Sequence, residues 1–208
     1  MYMNGQWANA VSGATFSTYN PSNGEKIGEV ADGDQEDARK SIEAAHEAFE
    51  AWSGLTVYQR SEYLYMAYQL MMEKKEHLAR VMTEEQGKPL RAAMGEVQYG
   101  ADFLRWYAEE AKRIYGETIP APRSDQRFIV IRQPVGVVAA ITPWNYPISM
   151  ITRKVAPALA AGCTVVLKPA EATPLCAVEM FKIFEEARIP AGVVNLVTAL
   201  NPAPIGET

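Results

Sequence analysis

The chain has 208 residues and a formal net charge of −5, with 48% of its residues hydrophobic and 22% charged. A chain of this length can bury a core in one or two domains, and this balance is ordinary for a globular protein. The acidic charge argues against nucleic acid and anionic membrane surfaces as partners, and no segment approaches the roughly 20 apolar residues that span a bilayer. Residues 1–6 lack a basic and apolar leader, so the sequence predicts a cytoplasmic protein.

The first part of the chain predicts short strands followed by helices. Residues 1–33 alternate short apolar runs with turn signals. Asp34 and Thr56 are each suited to cap a helix. The apolar faces of these two helices comprise Ala38, Ile42, Ala45 and Phe49 in the first, and Leu64, Tyr68, Met71 and Leu78 in the second.

Gly87-Lys88-Pro89 interrupts the chain before its most regular helix. The apolar residues of this helix alternate steps of four and three along the sequence: Leu90, Met94, Val97, Ala101, Leu104, Ala108 and Ala111. We predict that this stripe packs against the domain's own sheet, and a subunit interface is the alternative.

Residues 116–133 indicate two extended segments around a polar turn, and such a strand pair invites pairing with another surface. From residue 135 onward the pattern becomes strand–helix–strand–helix–strand, which is typical of a doubly wound parallel α/β sheet. The strands are predicted at residues 135–141, 163–167 and 193–197, the first two as buried strands. We expect the third strand to leave a bare sheet edge with unpaired backbone groups.

Polar side chains follow the first two of these strands. Residues 142–146 come after one and residues 168–171 after the next, and ligands of open parallel sheets bind at this carboxyl edge. No G-x-G-x-x-G motif is present. Cys163 and Cys176 form no disulfide framework or metal-site pattern, and neither has a neighbouring base that would make it a nucleophile.

The sequence Ala139-Ala140-Ile141-Thr142-Pro143-Trp144-Asn145-Tyr146-Pro147, followed by Thr164-Val165-Val166-Leu167-Lys168-Pro169-Ala170-Glu171, resembles the aldehyde dehydrogenase superfamily. Within it, the chain is most similar to the succinate-semialdehyde dehydrogenases. The segments that carry this likeness are residues 85–90, 95–97, 106–113, 115–120 and 150–155.

The resemblance implies a role for each polar residue of the two loops. Asn145 would donate its side-chain amide to the oxyanion that forms when a thiolate attacks an aldehyde. Arg153 would bind the distal carboxylate of the substrate. The implied cofactor-binding residues are Ile141, Thr142, Pro143, Trp144, Lys168 and Glu171, of which the last two would bind the adenosine ribose. Since a carboxylate accepts bonds from a 2′-hydroxyl and repels a 2′-phosphate, we predict NAD, with NADP also possible.

Each of these residues has a structural alternative. Asn145 could form an Asx turn, Lys168 could extend its amine to water past apolar neighbours, and Arg153 could be a solvated helix residue.

The fold that the resemblance implies is α/β, the N-terminal part of the aldehyde dehydrogenase fold. Residues 1–115 would be the helical part of the cofactor-binding domain, 116–133 a β-arm of the oligomerisation domain, and 134–208 the first half of a Rossmann-like sheet. The catalytic domain, with its Cys and Glu, is expected to be absent. We therefore predict an NAD(P)-dependent oxidation of an aldehyde, succinate semialdehyde, by a homo-oligomer; the alternative is a non-catalytic chain that binds nucleotide weakly or only assembles.

Overall fold

The structure is a computed structural model that describes residues 1–208. The strands are β1 Tyr2–Met3, β2 Gln6–Trp7, β3 Thr15–Tyr19, β4 Lys26–Ala31, β5 Glu117–Ile119, β6 Phe128–Val130, β7 Val137–Ile141, β8 Thr164–Lys168 and β9 Val194–Leu196. The helices are α1 Gln35–Ser53, α2 Val57–Glu73, α3 Lys75–Gln86, α4 Leu90–Glu110, α5 Ser149–Ala160, α6 Pro174–Glu186 and α7 Ala203–Gly206, with a 3-10 turn at Ala111–Arg113. None of the helices combines the length and apolarity needed to cross a membrane.

The central sheet has five strands in the order β2-β1-β9-β8-β7. Strands β7, β8 and β9 are parallel, as predicted, and helices cover both faces of β8. Val166 packs with Ala45 of α1, whereas Val165 and Leu167, which point to the opposite face, join the core that includes α5 and α6. The predicted α/β fold is therefore confirmed.

The exposed edge of the sheet is not where the sequence predicts it. Strand β9 is covered because β1 pairs with it antiparallel, with Tyr2 opposite Leu196. The two edges are β2, beyond β1, and β7, which has β8 as its single neighbour and leaves Ile141 largely exposed. The predictions of a bare β9 edge and of a buried first strand were wrong, because the pattern of three parallel strands carries no sign of the N-terminal strand that returns to pair with β9.

The helical layer begins as predicted and differs in two details. Asp34 and Thr56 cap α1 and α2, each in a reciprocal capping box. The apolar run predicted to continue through Leu78 is split at Lys74, which separates α2 from α3. The stripe of α4 packs mainly against α2, α3 and α5 rather than against the sheet, so that prediction was also wrong.

Residues 116–133 form the predicted strand pair, since β5 and β6 pair antiparallel with Thr118 opposite Ile129. All residues of both strands are exposed, and Ile129 and Ile131 expose 71% and 67% of their surface. We call residues 116–133 the β-arm. Exposed apolar strands of this kind are typical of surfaces that associate.

We predict that the protein self-associates through the β-arm. At micromolar concentration it should sediment as a species larger than 23.0 kDa. Ile129→Glu should shift it towards the monomer, because a carboxylate cannot be buried in an apolar contact without a large desolvation cost. Val11→Glu, which changes another exposed aliphatic residue, is the matched control. A wild-type protein that sediments as a clean monomer contradicts the prediction.

Candidate active-site loops

The two loops predicted to carry function lie side by side at the carboxyl edge of the sheet. Ile141, the last residue of β7, is in register with Lys168, the last residue of β8. The next residue, Thr142, donates its backbone N–H to the carbonyl of Lys168 at 3.1 Å. This hydrogen bond therefore holds the loops of residues 142–147 and 168–173 next to each other where the two strands end. We call these the Asn145 loop and the Lys168 loop.

Asn145 is exposed, and its side-chain amide makes no hydrogen bond. Its backbone carbonyl accepts a hydrogen bond from Lys88 Nζ at 2.9 Å. The same amine lies 4.0 Å from the centre of the Tyr146 ring, which is a cation–π distance. The backbone of Asn145 is thus held while the amide of its side chain stays free to donate to a ligand.

A buried carboxylate from α4 anchors the end of the Asn145 loop. Glu96 forms a salt bridge with Lys88, and its side chain is 1% exposed. Glu96 Oε1 accepts the backbone N–H groups of Ile148 at 3.1 Å and Ser149 at 3.2 Å. Since α5 has no side-chain cap of its own, Glu96 supplies its N-terminal acceptor from a different helix.

The Lys168 loop ends in the same way. Helix α6 also lacks a cap of its own, and Glu85, near the C-terminus of α3, accepts the N–H groups of Leu175 at 2.5 Å and Cys176 at 2.8 Å. Glu85 has no cationic partner. Burial raises its pKa to about 7, although the two backbone N–H groups and the Cys176 side chain oppose this shift by stabilising the carboxylate.

Lys168 and Glu171 form a polar pair where β8 ends and the Lys168 loop begins. Lys168 is only 6% exposed, and its Nζ lies 3.6 Å from Glu171 Oε2, whose side chain is half-exposed. Trp144 and Glu171 both line a cavity of about 310 Å³. A buried ammonium donor next to a carboxylate acceptor fits the two hydroxyls of a ribose, which both donate and accept. Of the other predicted cofactor residues, Thr142 is buried, whereas Ile141 and Pro143 are exposed.

Arg153 lies on α5, about one turn beyond the start of the helix. It is exposed and forms no hydrogen bond or salt bridge, and the neighbouring Lys154 is also exposed and unpaired. No hydrogen bond joins Arg153 to the Asn145 loop. The structure therefore leaves its guanidinium available to an anion without bringing it to Asn145.

The prediction that neither cysteine has a neighbouring base was wrong for Cys176, whose thiol bonds to the Glu85 carboxylate, but neither cysteine is placed to act as a nucleophile. Cys163 and Cys176 are both buried and free. Burial, together with the nearby Glu85 carboxylate, raises the pKa of the Cys176 thiol well above its usual value, so the thiolate is suppressed. No group of His, Cys, Asp and Glu side chains is arranged to hold a metal ion.

Sequence reasoning assigned no role to Glu85, Glu96 or Lys88. The two acids could have been noticed from helical spacing. Glu96 is three residues after the buried Ala93, and Glu85 is three residues after the buried Met82. A carboxylate on the buried face of a helix requires hydrogen-bond partners. The sequence does not indicate which N–H groups these two carboxylates bind, because the partners are about 50 and 90 residues away.

The sequence matches the Aldehyde dehydrogenase family over residues 7–207. The chain belongs to this family. It is 54% identical to glutarate-semialdehyde dehydrogenase of Pseudomonas putida and 52% identical to succinate-semialdehyde dehydrogenase [NADP(+)] GabD of Escherichia coli, over 95% and 94% of its length. A solved E. coli NADP-dependent enzyme superposes with a TM-score of 0.97 at 50% identity, covering 99% of this chain and 42% of that one. The fold is accordingly the N-terminal part of the aldehyde dehydrogenase fold, and the chain spans about two fifths (41%) of the length of both relatives.

We predict that Glu85 makes the stability of the protein depend on pH near neutrality. A carboxyl group whose pKa is raised on folding binds its proton more tightly in the folded state. Its contribution to the free energy of unfolding is therefore greatest at low pH and is lost as pH rises from about 4.5 to about 7.

Thermal unfolding of the wild type and of Glu85→Gln, whose amide cannot ionise, tests this prediction. The melting temperature of the wild type should fall relative to that of Glu85→Gln between pH 5 and pH 8. An equal difference between the two proteins at both pH values would show that Glu85 titrates normally.

Proposed function

We propose that this protein takes part in the NAD(P)-dependent oxidation of an aldehyde to its carboxylic acid, with succinate semialdehyde as the substrate. The observation that supports this most strongly is the free side-chain amide of Asn145, held beside the Lys168 loop in a member of the aldehyde dehydrogenase family. The predicted cytoplasmic location, the three-part domain division and the homo-oligomer belong to the same proposal.

In the proposed reaction, Asn145 stabilises negative charge on the substrate oxygen. A thiolate adds to the aldehyde carbon, and the carbonyl oxygen becomes an oxyanion. A neutral amide on a restrained backbone can donate to this oxygen with little reorganisation, which lowers the barrier. Because the Asn145 carbonyl is held by Lys88, the backbone that carries this amide is restrained before the substrate arrives.

The Lys168 loop would hold the adenosine ribose of the cofactor. Lys168 Nζ would donate to the ribose hydroxyls, and Glu171 would accept from the 2′-hydroxyl. When bound, the nicotinamide would supply the hydride acceptor of the oxidation. The name of GabD specifies NADP(+), whereas we propose that this chain prefers NAD. That preference rests on the negative charge of Glu171.

The proposed substrate class is a short aldehyde with an anionic group at its far end. The relatives from P. putida and E. coli are named for semialdehydes of glutarate and succinate, which both carry a distal carboxylate. Arg153 is an unpaired guanidinium on the helix that follows the Asn145 loop. Its planar group can donate two parallel bonds to such a carboxylate.

The nucleophile and the general base are not among the groups that this chain supplies. Both cysteines are buried, and the carboxylate of Glu85 beside Cys176, together with burial, raises the pKa of that thiol and suppresses the thiolate. We propose that these groups come from residues outside the 208 described. The non-catalytic alternative, in which the chain binds nucleotide or only assembles, is favoured by the same burial of Cys163 and Cys176.

We expect no formation of NADH from succinate semialdehyde by the 208-residue chain alone, because a thiolate is missing. In a chimera that carries residues 7–207 of this chain in place of the matching segment of E. coli GabD, turnover should return. Asn145→Ala in the chimera should lower kcat by about 10²–10³, the usual effect of removing one oxyanion donor.

Asn201→Ala, at another exposed asparagine, is the control for the chimera. An Asn145→Ala chimera as fast as its parent would exclude the proposed role of Asn145. Turnover by the 208-residue chain that persists after both cysteines are mutated would contradict the account of the missing nucleophile.

Glu171 should make the chain prefer NAD over NADP. Calorimetric titration should show tighter binding of NAD, and Glu171→Ala should reduce the difference because the repulsion of the 2′-phosphate is removed. Glu36→Ala is the matched control, since it removes another half-exposed carboxylate that pairs with a lysine, at 3.0 Å from Lys40. Equal or tighter NADP binding that Glu171→Ala leaves unchanged means that Glu171 does not contact the ribose.

A further inference from the structure

We infer that Lys88 and Glu96 are positioning residues that fix the Asn145 loop in the conformation from which the Asn145 amide can donate. The functional meaning of this inference depends on the role proposed for Asn145, whereas its structural part stands on contacts alone. The pair lies on a different part of the chain from the loop, 57 residues away from Asn145 in the case of Lys88.

Glu96 fixes the downstream end of the loop. Its two backbone bonds, to Ile148 and Ser149, satisfy N–H groups at the start of α5 that have no acceptor within their own helix. A carboxylate at this position also interacts favourably with the positive end of the helix dipole. The point at which the loop becomes α5 is therefore set by α4.

A close approach of α4 and α5 makes these bonds possible. Gly100 lies one turn after Glu96, and a Cβ atom built on it would be 3.3 Å from Ser149 Cα and 3.3 Å from Ile148 Cγ2. Both of these atoms belong to the residues that Glu96 binds. Glycine thus brings the backbone of α4 near enough for the short side chain of Glu96 to reach the start of α5.

Lys88 fixes the middle of the loop and neutralises Glu96. One amine forms the salt bridge with Glu96, donates to the Asn145 carbonyl and lies over the Tyr146 ring. Its side chain is 14% exposed and that of Glu96 is 1% exposed. Removing the lysine would leave a buried carboxylate without its cation and the Asn145 carbonyl without its donor. Both losses are unfavourable, so these contacts stabilise the observed conformation of the loop.

The contacts of Lys88 and Glu96 are concentrated on the backbone of residues 145–149, which distinguishes a positioning role from general stabilisation of the fold. Two of the five residues from Asn145 to Ser149 are bonded through their backbone N–H to Glu96, and the carbonyl of a third to Lys88. The pair should therefore govern the order of this loop specifically. An ion pair that only adds stability would change the melting temperature without changing local motion in residues 145 and 146.

The test is ¹⁵N relaxation of the full 208-residue chain, with Lys88→Met as the deciding variant. The order parameters of the Asn145 and Tyr146 backbone amides should fall from the rigid range of about 0.85 to below about 0.6. Lys74→Met is the matched control, because it removes a lysine that pairs with Glu186 far from the loop. Lys88→Arg, which retains the charge and the donors, should restore the order.

Glu96→Gln is the second variant, and it should also loosen residues 145–149 because an amide loses the charge that holds Lys88. If Glu96→Gln does not fold, Lys88→Met decides alone. Unchanged order parameters in Lys88→Met, or the same loss in Lys74→Met, would overturn the inference. A loop that loosens in Lys88→Met supports the positioning role even if the Asn145→Ala chimera keeps full activity; that result would refute only the role of Asn145.

Discussion

The arrangement of the two candidate loops depends on two buried carboxylates that act as acceptors for helices other than their own. Glu96 of α4 binds the first N–H groups of α5, and Glu85 of α3 binds those of α6. Helices α5 and α6 begin where the two loops end, and neither has a capping side chain. Leaving these N–H groups without acceptors would cost about 1–3 kcal/mol for each buried group. The helical layer thereby determines where both loops leave the edge of the sheet.

The two carboxylates differ in how their charge is balanced. Glu96 has Lys88, and that lysine extends the anchoring to the Asn145 carbonyl. Glu85 has only backbone N–H groups and a thiol nearby, so burial dominates and its pKa rises to about 7. The Asn145 loop is consequently held by a charged pair, whereas the start of α6 depends on a carboxyl group that can change its protonation near neutral pH. At the other end of both loops, the hydrogen bond from Thr142 to Lys168 keeps them together.

Much of the fold could be predicted from local patterns. Asp34 and Thr56 identified two helix starts, because a capping side chain is adjacent to the N–H groups it binds. The parallel strands were readable as apolar runs separated by helical spacing, and the site loops followed from the carboxyl ends of those strands. The motifs around Asn145 and Lys168 then indicated the family, which the match over residues 7–207 confirms.

Apart from the helix break at Lys74, what the sequence did not indicate concerns contacts between distant parts of the chain. Tyr2 pairs with Leu196, so β9 is an interior strand and the sheet edge on that side is β2; a two-residue strand has too little pattern to indicate its partner. The stripe of α4 predicted the buried face correctly from Val97 onward, although Leu90 is exposed, but it could not indicate whether helices or a sheet would cover that face. Glu85 and Glu96 bind N–H groups about 90 and 50 residues away, so their spacing shows only that they are buried.

We propose that the loops at the carboxyl ends of β7 and β8 line one cleft, in which the Lys168 loop holds a nucleotide beside the Asn145 loop. A crystal structure of the 208-residue chain with NAD tests this most directly. The account predicts the adenosine ribose between Lys168 and Glu171, within hydrogen-bond distance of both side chains, with the Asn145 carbonyl still bonded to Lys88. A ribose bound elsewhere on the protein, with Lys168 and Glu171 still paired only to each other, would contradict it.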